Sequence, residues 1–218
     1  MSDMNALSNG LLPQGPLLER LLAGDFICAV SDESAFQRLE DEDTREAIDA
    51  YLRPLNRRLA SNPDASVYFL AWRQLDDSAR DQLSRQLSDT LHSLLPVLEW
   101  LQLVQEALGR DSVLSPGDVL KPGELQAKSE DNPSLRERIE RLATDSFFGS
   151  QSDQLDAQVK QVFKRLKEHG YLLQPHGERQ VFLVTGKIDY LLDLVRFIRD
   201  EEHLPVDEQG EATQEALL

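Results

Sequence analysis

Residues 152–184, SDQLDAQVKQVFKRLKEHGYLLQPHGERQVFLV, constrain the fold more than any other stretch, because three local signals follow one another without a gap. Leu155, Val159, Val162, Phe163 and Leu166 share one stripe of a helix turning once every ~3.6 residues, so the segment has a face for a core. Ser152 or Asp153 stands where a side chain can cap the first free N–H groups, and Gly170 stands where a helix ends in the left-handed conformation. Tyr171, Leu172 and Leu173, then Val181, Phe182, Leu183 and Val184, are rich in strand formers. The Pro175-His176-Gly177-Glu178-Arg179 insert between them has the turn chemistry of a hairpin loop.

Helix, glycine stop and hairpin together outline a winged helix, although other α+β domains also contain a helix followed by a hairpin. The charge pattern favours the first reading. Lys160, Lys164, Arg165, Lys167, Arg179 and Lys187 lie between Ala157 and Lys187, opposed only by Glu168 and Glu178, in a chain of formal net charge −16. A basic island on so acidic a background is a natural place to meet phosphate, and these six are the candidate DNA-binding residues. The plainer reading of such a run is a solvated lysine face.

A chain of 218 residues, 40% hydrophobic and 28% charged, is long enough for one large or two small folded domains. No run approaches the ~20 apolar residues of a membrane span, and MSDMNALSNG lacks the basic and apolar regions of a signal peptide, so a cytosolic protein is expected. Cys28, the lone cysteine, sits in the apolar stretch 26–30 and reads as a buried small hydrophobe with no redox role. Thirty-nine acidic against 23 basic residues make tight, autonomous binding to nucleic acid unfavourable, because a duplex is held mainly through neutralised phosphates. Part of that acidity is local. Asp200, Glu201, Glu202, Asp207, Glu208, Glu211 and Glu215 follow Arg199 with no further Lys or Arg, which suggests an acidic disordered tail over 201–218.

Towards the N-terminus the spacing predicts a helix over 16–22 stopped near Gly24, then a strand over 26–30. Asp32 can cap a helix ending near Leu39, and Asp43 or Thr44 can open another through Ala47, Ile48, Tyr51, Leu52, Leu55 and Leu59, interrupted or kinked at Pro54. After the Asn62-Pro63-Asp64 turn, residues 67–72 form the best strand of this half. Residues 14–75 thus read as a degenerate N-terminal winged-helix-like domain, with a candidate recognition helix over 43–60 and a wing ending near Trp72.

Residues 76–130 read as a long linking helix and connector. The helix, over 78–108, places Leu83, Leu87, Leu91, Leu94, Leu98, Leu101 and Leu108 on one face, with Trp100 on its flank and Pro96 as a bend. So much apolar surface suits a helix packed between domains or a dimer interface, with Leu87, Leu91, Leu94, Leu98, Trp100 and Leu101 as the candidate contact residues. The connector, 111–133, holds one short helix over 123–128. The C-terminal winged-helix domain then covers 131–200, opening with a helix through Leu135, Ile139 and Leu142 and closing with one through Ile188, Leu191, Leu192, Val195 and Ile198. The expected fold class is mainly α with small β-hairpins (α+β): tandem winged-helix domains joined by long helices.

Chemistry is sparse. Thr185-Gly186-Lys187-Ile188 lacks the upstream glycine and the Ser or Thr of a phosphate loop, and His92, His169, His176 and His203 sit in separate elements without a zinc-ligand pattern. No nucleophile elbow, Cys–His arrangement or assignable carboxylate pair is present. No enzyme, metal or cofactor is expected.

The segments VFKRLKEHGYL (162–172), ERQVFLV (178–184) and TGKIDYLLDLVRFI (185–198) resemble the MksE and MukE subunits of MukBEF-type bacterial condensins. The resemblance covers most of 14–200, with motifs that are weak in themselves. It implies a homodimeric, non-enzymatic tandem winged-helix protein that embraces a kleisin of the MksF or MukF kind. That kleisin would bridge it to an MksB- or MukB-like SMC ATPase. Weak DNA contact, chromosome organisation and a cytoplasmic, nucleoid-associated location follow from the same likeness. Wadjet-type plasmid-defence complexes use a similar subunit, so the sequence leaves that alternative open. A stand-alone winged-helix transcription regulator and a pure protein–protein scaffold are the other readings; net charge weighs against the regulator.

Overall fold

The computed structural model describes residues 14–202, mostly helical with two small antiparallel sheets. The first unit runs α1 (Gly15–Leu22), β1 (Ile27–Cys28), α2 (Glu33–Glu40), α3 (Glu42–Leu52), a 3-10 turn (Arg53–Leu55), β2 (Arg57–Ser61) and β3 (Val67–Trp72). Its sheet is ordered β1-β3-β2, with the β2–β3 hairpin in register from Arg57 opposite Trp72 to Ser61 opposite Tyr68. Leu17, Leu21, Ile27, Leu39, Ile48, Leu52 and Tyr68 close a compact core beneath it.

Local chemistry explains most boundaries in this unit. The Asp32 carboxylate accepts from the Ala35 N–H at 2.9 Å and opens α2 as expected. The cap of α3 is Asp41, which accepts from the Thr44 N–H, and not Asp43 or Thr44. The helix expected over 43–60 ends at Leu52, and Leu59 belongs to β2, opposite Leu70. The reason lies in the turn between them. Pro54 offers no N–H to continue the helix, and Asn56 takes a left-handed conformation (φ 57°) that redirects the chain. The Asn56 side chain then accepts from the Gln74 N–H and donates to the Gln74 carbonyl, tying the start of β2 to the segment after β3. The strand expected over 26–30 is shorter, Ile27–Cys28.

α4 (Asp77–Leu108) is capped by Asp76, runs unbroken through Pro96 for 32 residues, about 48 Å at ~1.5 Å per residue, and stops at left-handed Gly109. The second unit follows as β4 (Val119–Leu120), α5 (Pro122–Glu130), α6 (Pro133–Thr144), α7 (Leu155–Glu168), β5 (Leu172–Leu173), β6 (Phe182–Val184) and α8 (Lys187–Glu202). Its sheet order, β4-β6-β5, repeats that of the first unit: opening strand, last strand, middle strand. β4 lies within the expected connector; only two residues long and flanked by Pro116 and Pro122, it has no periodicity to read. α5 is longer than the expected 123–128. The acidic tail lies outside the described residues apart from Glu201 and Glu202, which form the end of α8.

The second core draws on the C-terminal half of α4 as well as on the later elements: Val97, Trp100, Leu103 and Val104 pack with Leu120, Ile139, Phe148, Phe163, Leu166 and Phe182. Trp100 meets Phe163 edge to face, with centroids 6.3 Å apart. Ion pairs of Arg138 with Glu106 and Arg141 with Glu99 hold α6 along the outside of α4.

The start of α8 joins the units. The Gly186 N–H donates to Cys28 Sγ at 3.2 Å, and the Tyr190 ring lies 4.8 Å from Phe26 and 4.9 Å from Phe69. Ser66 donates to Asp189 and Asn62 to Asp193, each at 3.1 Å. Gly186 is required here by space: a Cβ on it would stand 2.8 Å from Cys28 Cβ and 3.3 Å from Val67 Cβ. Gly186→Ala is therefore expected to destabilise the protein by about 1–3 kcal/mol, the usual cost of overpacking. Gly177→Ala, in the open hairpin loop with nothing within 4 Å, is expected to leave stability unchanged; urea denaturation of both variants checks the pair.

Candidate functional site

α7 carries the basic face. Val159, Val162, Phe163 and Leu166 turn inward as their spacing predicts, together with Gln158, whose amide donates to the Ser152 carbonyl at 2.8 Å. Neither Ser152 nor Asp153 caps the helix: its N-cap is Gln154, without a side-chain bond, and Ser152 Oγ instead accepts from the Gln154 N–H. At the other end Gly170 adopts φ 76°, and the Tyr171 N–H reaches back to the Leu166 carbonyl at 2.9 Å, a Schellman closure that aims the chain into β5.

The six basic residues divide. Lys160, Lys164 and Lys167 are exposed on α7, and Arg179 is exposed in the hairpin loop. Gln174 braces this end: its carbonyl accepts from Lys167 Nζ at 2.9 Å, and its amide donates to the Gly177 and Arg179 carbonyls. The last turn of α7 and the loop are thereby tied together. Arg165 is half-buried and committed, donating to the Phe147 carbonyl and to Glu168. Its guanidinium, followed by the charge of Lys164, holds the Glu168 carboxyl below its ordinary range. Lys160 pairs with Asp156 at 2.7 Å and Lys164 with Glu168 at 3.8 Å, so carboxylates answer much of the positive charge.

Lys187 is not on this face. It begins α8 at the joint between the units, its Nζ donating to the His169 carbonyl at 2.7 Å and standing 4.8 Å and 5.0 Å from the centroids of Phe26 and Tyr171. Burial pulls its pKa down to about 8, with Asp25 opposing weakly. Burial likewise pulls His169 below its ordinary value and pushes Tyr171 above its own.

The apolar residues of α4 divide too. The deepest line is Ser93, Val97, Trp100 and Val104, one residue behind the leucine line, so Leu94 and Leu98 are partly buried against the chain's own core and Leu101 is buried in it. Trp100 is wholly buried and forms no part of a surface. Leu87 and Leu91 are 39% and 50% exposed and continue into Leu95 at 73%, a row at i, i+4 and i+8. Leu95 was missing from the sequence-derived set, although its four-residue step from Leu91 signals it. Among the described residues no cluster of His, Cys, Asp or Glu could hold a metal ion, and no helix is long and apolar enough to cross a membrane.

One long helix thus joins two units of the same strand order, with a basic helix–hairpin face on the second and an exposed apolar row on the helix itself. The chain belongs to the MksE family: the family model for condensin complex protein MksE matches residues 15–196. It is thus a condensin-complex subunit, in agreement with the resemblance of 162–172, 178–184 and 185–198. No curated protein matches the sequence.

The position of Lys187 has a consequence for stability. Between about pH 8 and pH 10.5 the unfolded chain holds a proton that the folded chain has released, so this group makes stability rise with pH across that window. Relative to Lys187→Met, the wild type is expected to gain about 2 kcal/mol between pH 7.5 and pH 10. Paired urea titrations at the two pH values measure the difference.

Proposed function

We propose that this chain is a non-catalytic accessory subunit of a bacterial condensin-like SMC complex. It consists of two winged-helix domains, 14–75 and 131–200, joined through 76–130. It dimerises, holds a kleisin of the MksF or MukF kind, and through that kleisin serves an MksB- or MukB-like ATPase in organising and segregating the chromosome. The observation that carries this reading is the repeated strand order in units that each place a helix before a hairpin, within a chain matched to the MksE family over 15–196. The setting is cytoplasmic and nucleoid-associated. Purification at native level from the host, followed by mass spectrometry, is expected to recover a coiled-coil ATPase and a kleisin with the protein. A topoisomerase-like nuclease in their company would move the assignment to plasmid defence, and recovery of the protein alone on specific DNA would overturn the condensin role in favour of a regulator.

DNA contact, on this reading, runs through Lys160, Lys164, Lys167 and Arg179, with Arg165 bracing the helix. It is weak because Asp156 and Glu168 already answer part of the charge. Lys164→Glu combined with Lys167→Glu is expected to reduce DNA retention by the assembled complex several-fold and to flatten its dependence on salt, since two phosphate contacts are lost. Kleisin capture stays intact. Filter binding at several salt concentrations, beside a pull-down with the kleisin, separates the two effects.

Dimerisation uses the α4 row Leu87, Leu91 and Leu95, an apolar strip left outside both cores of the chain. Leu91→Glu with Leu95→Glu is expected to convert the dimer to monomer in sedimentation experiments without lowering the melting temperature. Unchanged sedimentation would place the dimer contact elsewhere.

A further inference from the structure

A cavity of about 550 Å³ lies between the two units and the N-terminal half of α4, a size in the range of pockets that hold small molecules. Its aromatic lining includes Phe26, Trp72 and Tyr171, and its cationic or titratable basic lining is Arg57 from the first unit with His169 and Lys187 from the second. Among the described residues no aspartate or glutamate lines it, in a chain of net charge −16. Among the described residues none of these groups forms an ion pair; from farther away Asp25 acts on Lys187 and Glu168 on His169, and neither lines the cavity. The Arg57 guanidinium lies over the Trp72 ring, 3.2 Å from its centroid, with no ion pair among the described residues. Lys187 Nζ gives one hydrogen bond, to the His169 carbonyl, and otherwise faces the Phe26 and Tyr171 rings. The Trp72 indole N–H is buried without an acceptor among the described residues. Elsewhere in the molecule, partly buried cations such as Arg20 and Arg138 have carboxylate partners.

Burying positive charge without an anion is costly, and aromatic faces repay only part of that cost. Burial is what pulls the pKa of Lys187 down, and Asp25 offsets it only in part. An anion carried on a flat apolar body offsets the cost of burial: the body stacks on the aromatic lining, and the charge is shared by groups from both units. We propose that this cavity is a binding site for a small amphipathic anion, an aromatic or flat apolar body bearing one carboxylate, phosphate or sulfonate, held between the two units by Arg57, His169 and Lys187. Because these residues come from both units, such a ligand stabilises their present arrangement. This site is additional to the partner and DNA surfaces proposed above and does not rest on them.

The test compares two fluorescent probes of similar shape on the full chain: anionic 8-anilinonaphthalene-1-sulfonate and neutral N-phenyl-1-naphthylamine. The anion is expected to bind saturably at one site per chain, at least roughly tenfold tighter than the neutral probe, and to raise the melting temperature. Lys187→Gln and Arg57→Gln are each expected to weaken the anionic probe by roughly tenfold while leaving the neutral probe within about twofold. Equal binding of the two probes to the wild-type chain, which requires no variant to fold, would overturn the proposal, as would anion binding unaffected by both substitutions.

Discussion

The approach of Gly186 to Cys28 governs how the two halves of this protein sit together. Each unit closes its own core, and neither core fixes the position of the other. What fixes it is backbone-to-side-chain contact at the first residues of α8, close enough that a single added methyl group would collide with Cys28. Around that point Tyr190 fills the space between Phe26 and Phe69, and Ser66 and Asn62 donate to Asp189 and Asp193 one helical turn apart. The joint is chemically varied: sulfur, aromatic and carboxylate contacts all draw on residues 186–193.

The long helix α4 has two jobs, and they divide along its length. Its C-terminal half is a core element of the second unit, with Val97, Trp100 and Val104 inside. Its N-terminal half leads from the first unit and leaves Leu87 and Leu91 outside, with Leu95 extending their row. The chain's acidity extends to its basic helix. With 39 acidic against 23 basic residues, and with Asp156 and Glu168 paired to Lys160, Lys164 and Arg165 of α7, little positive charge on that helix is left unanswered.

Legibility in the sequence followed the range of the signal. α7, its stop at Gly170 and the hairpin beyond could be read because each depends on residues within a few positions of one another. The strands β2 and β4 could not. Arg57–Ser61 continued the apolar spacing of the helix before it, and only the joint effect of Pro54 and left-handed Asn56 turned it into a strand. Val119–Leu120 is too short to show any period, and its pairing with Leu183 and Phe182 is a property of distant residues. The leucines of α4 were correctly placed on a helix but sorted imperfectly, because the deepest line runs one residue away, through Ser93, Val97, Trp100 and Val104.

Periodicity, capping groups and glycine stops are written in consecutive residues, so the sequence by itself determined most of the helices, the hairpin, the net acidity and the family resemblance. The joint between the units, the burial of Lys187 and the shared cavity were decided only in the tertiary structure. They bring together residues as far apart as Cys28 and Gly186, 158 positions along the chain, and packing at that separation leaves no repeating pattern in the sequence to read. Lys187 shows the difference most clearly: in sequence it extends a basic run, and in space it leaves that run to stand among aromatic rings from both halves of the molecule.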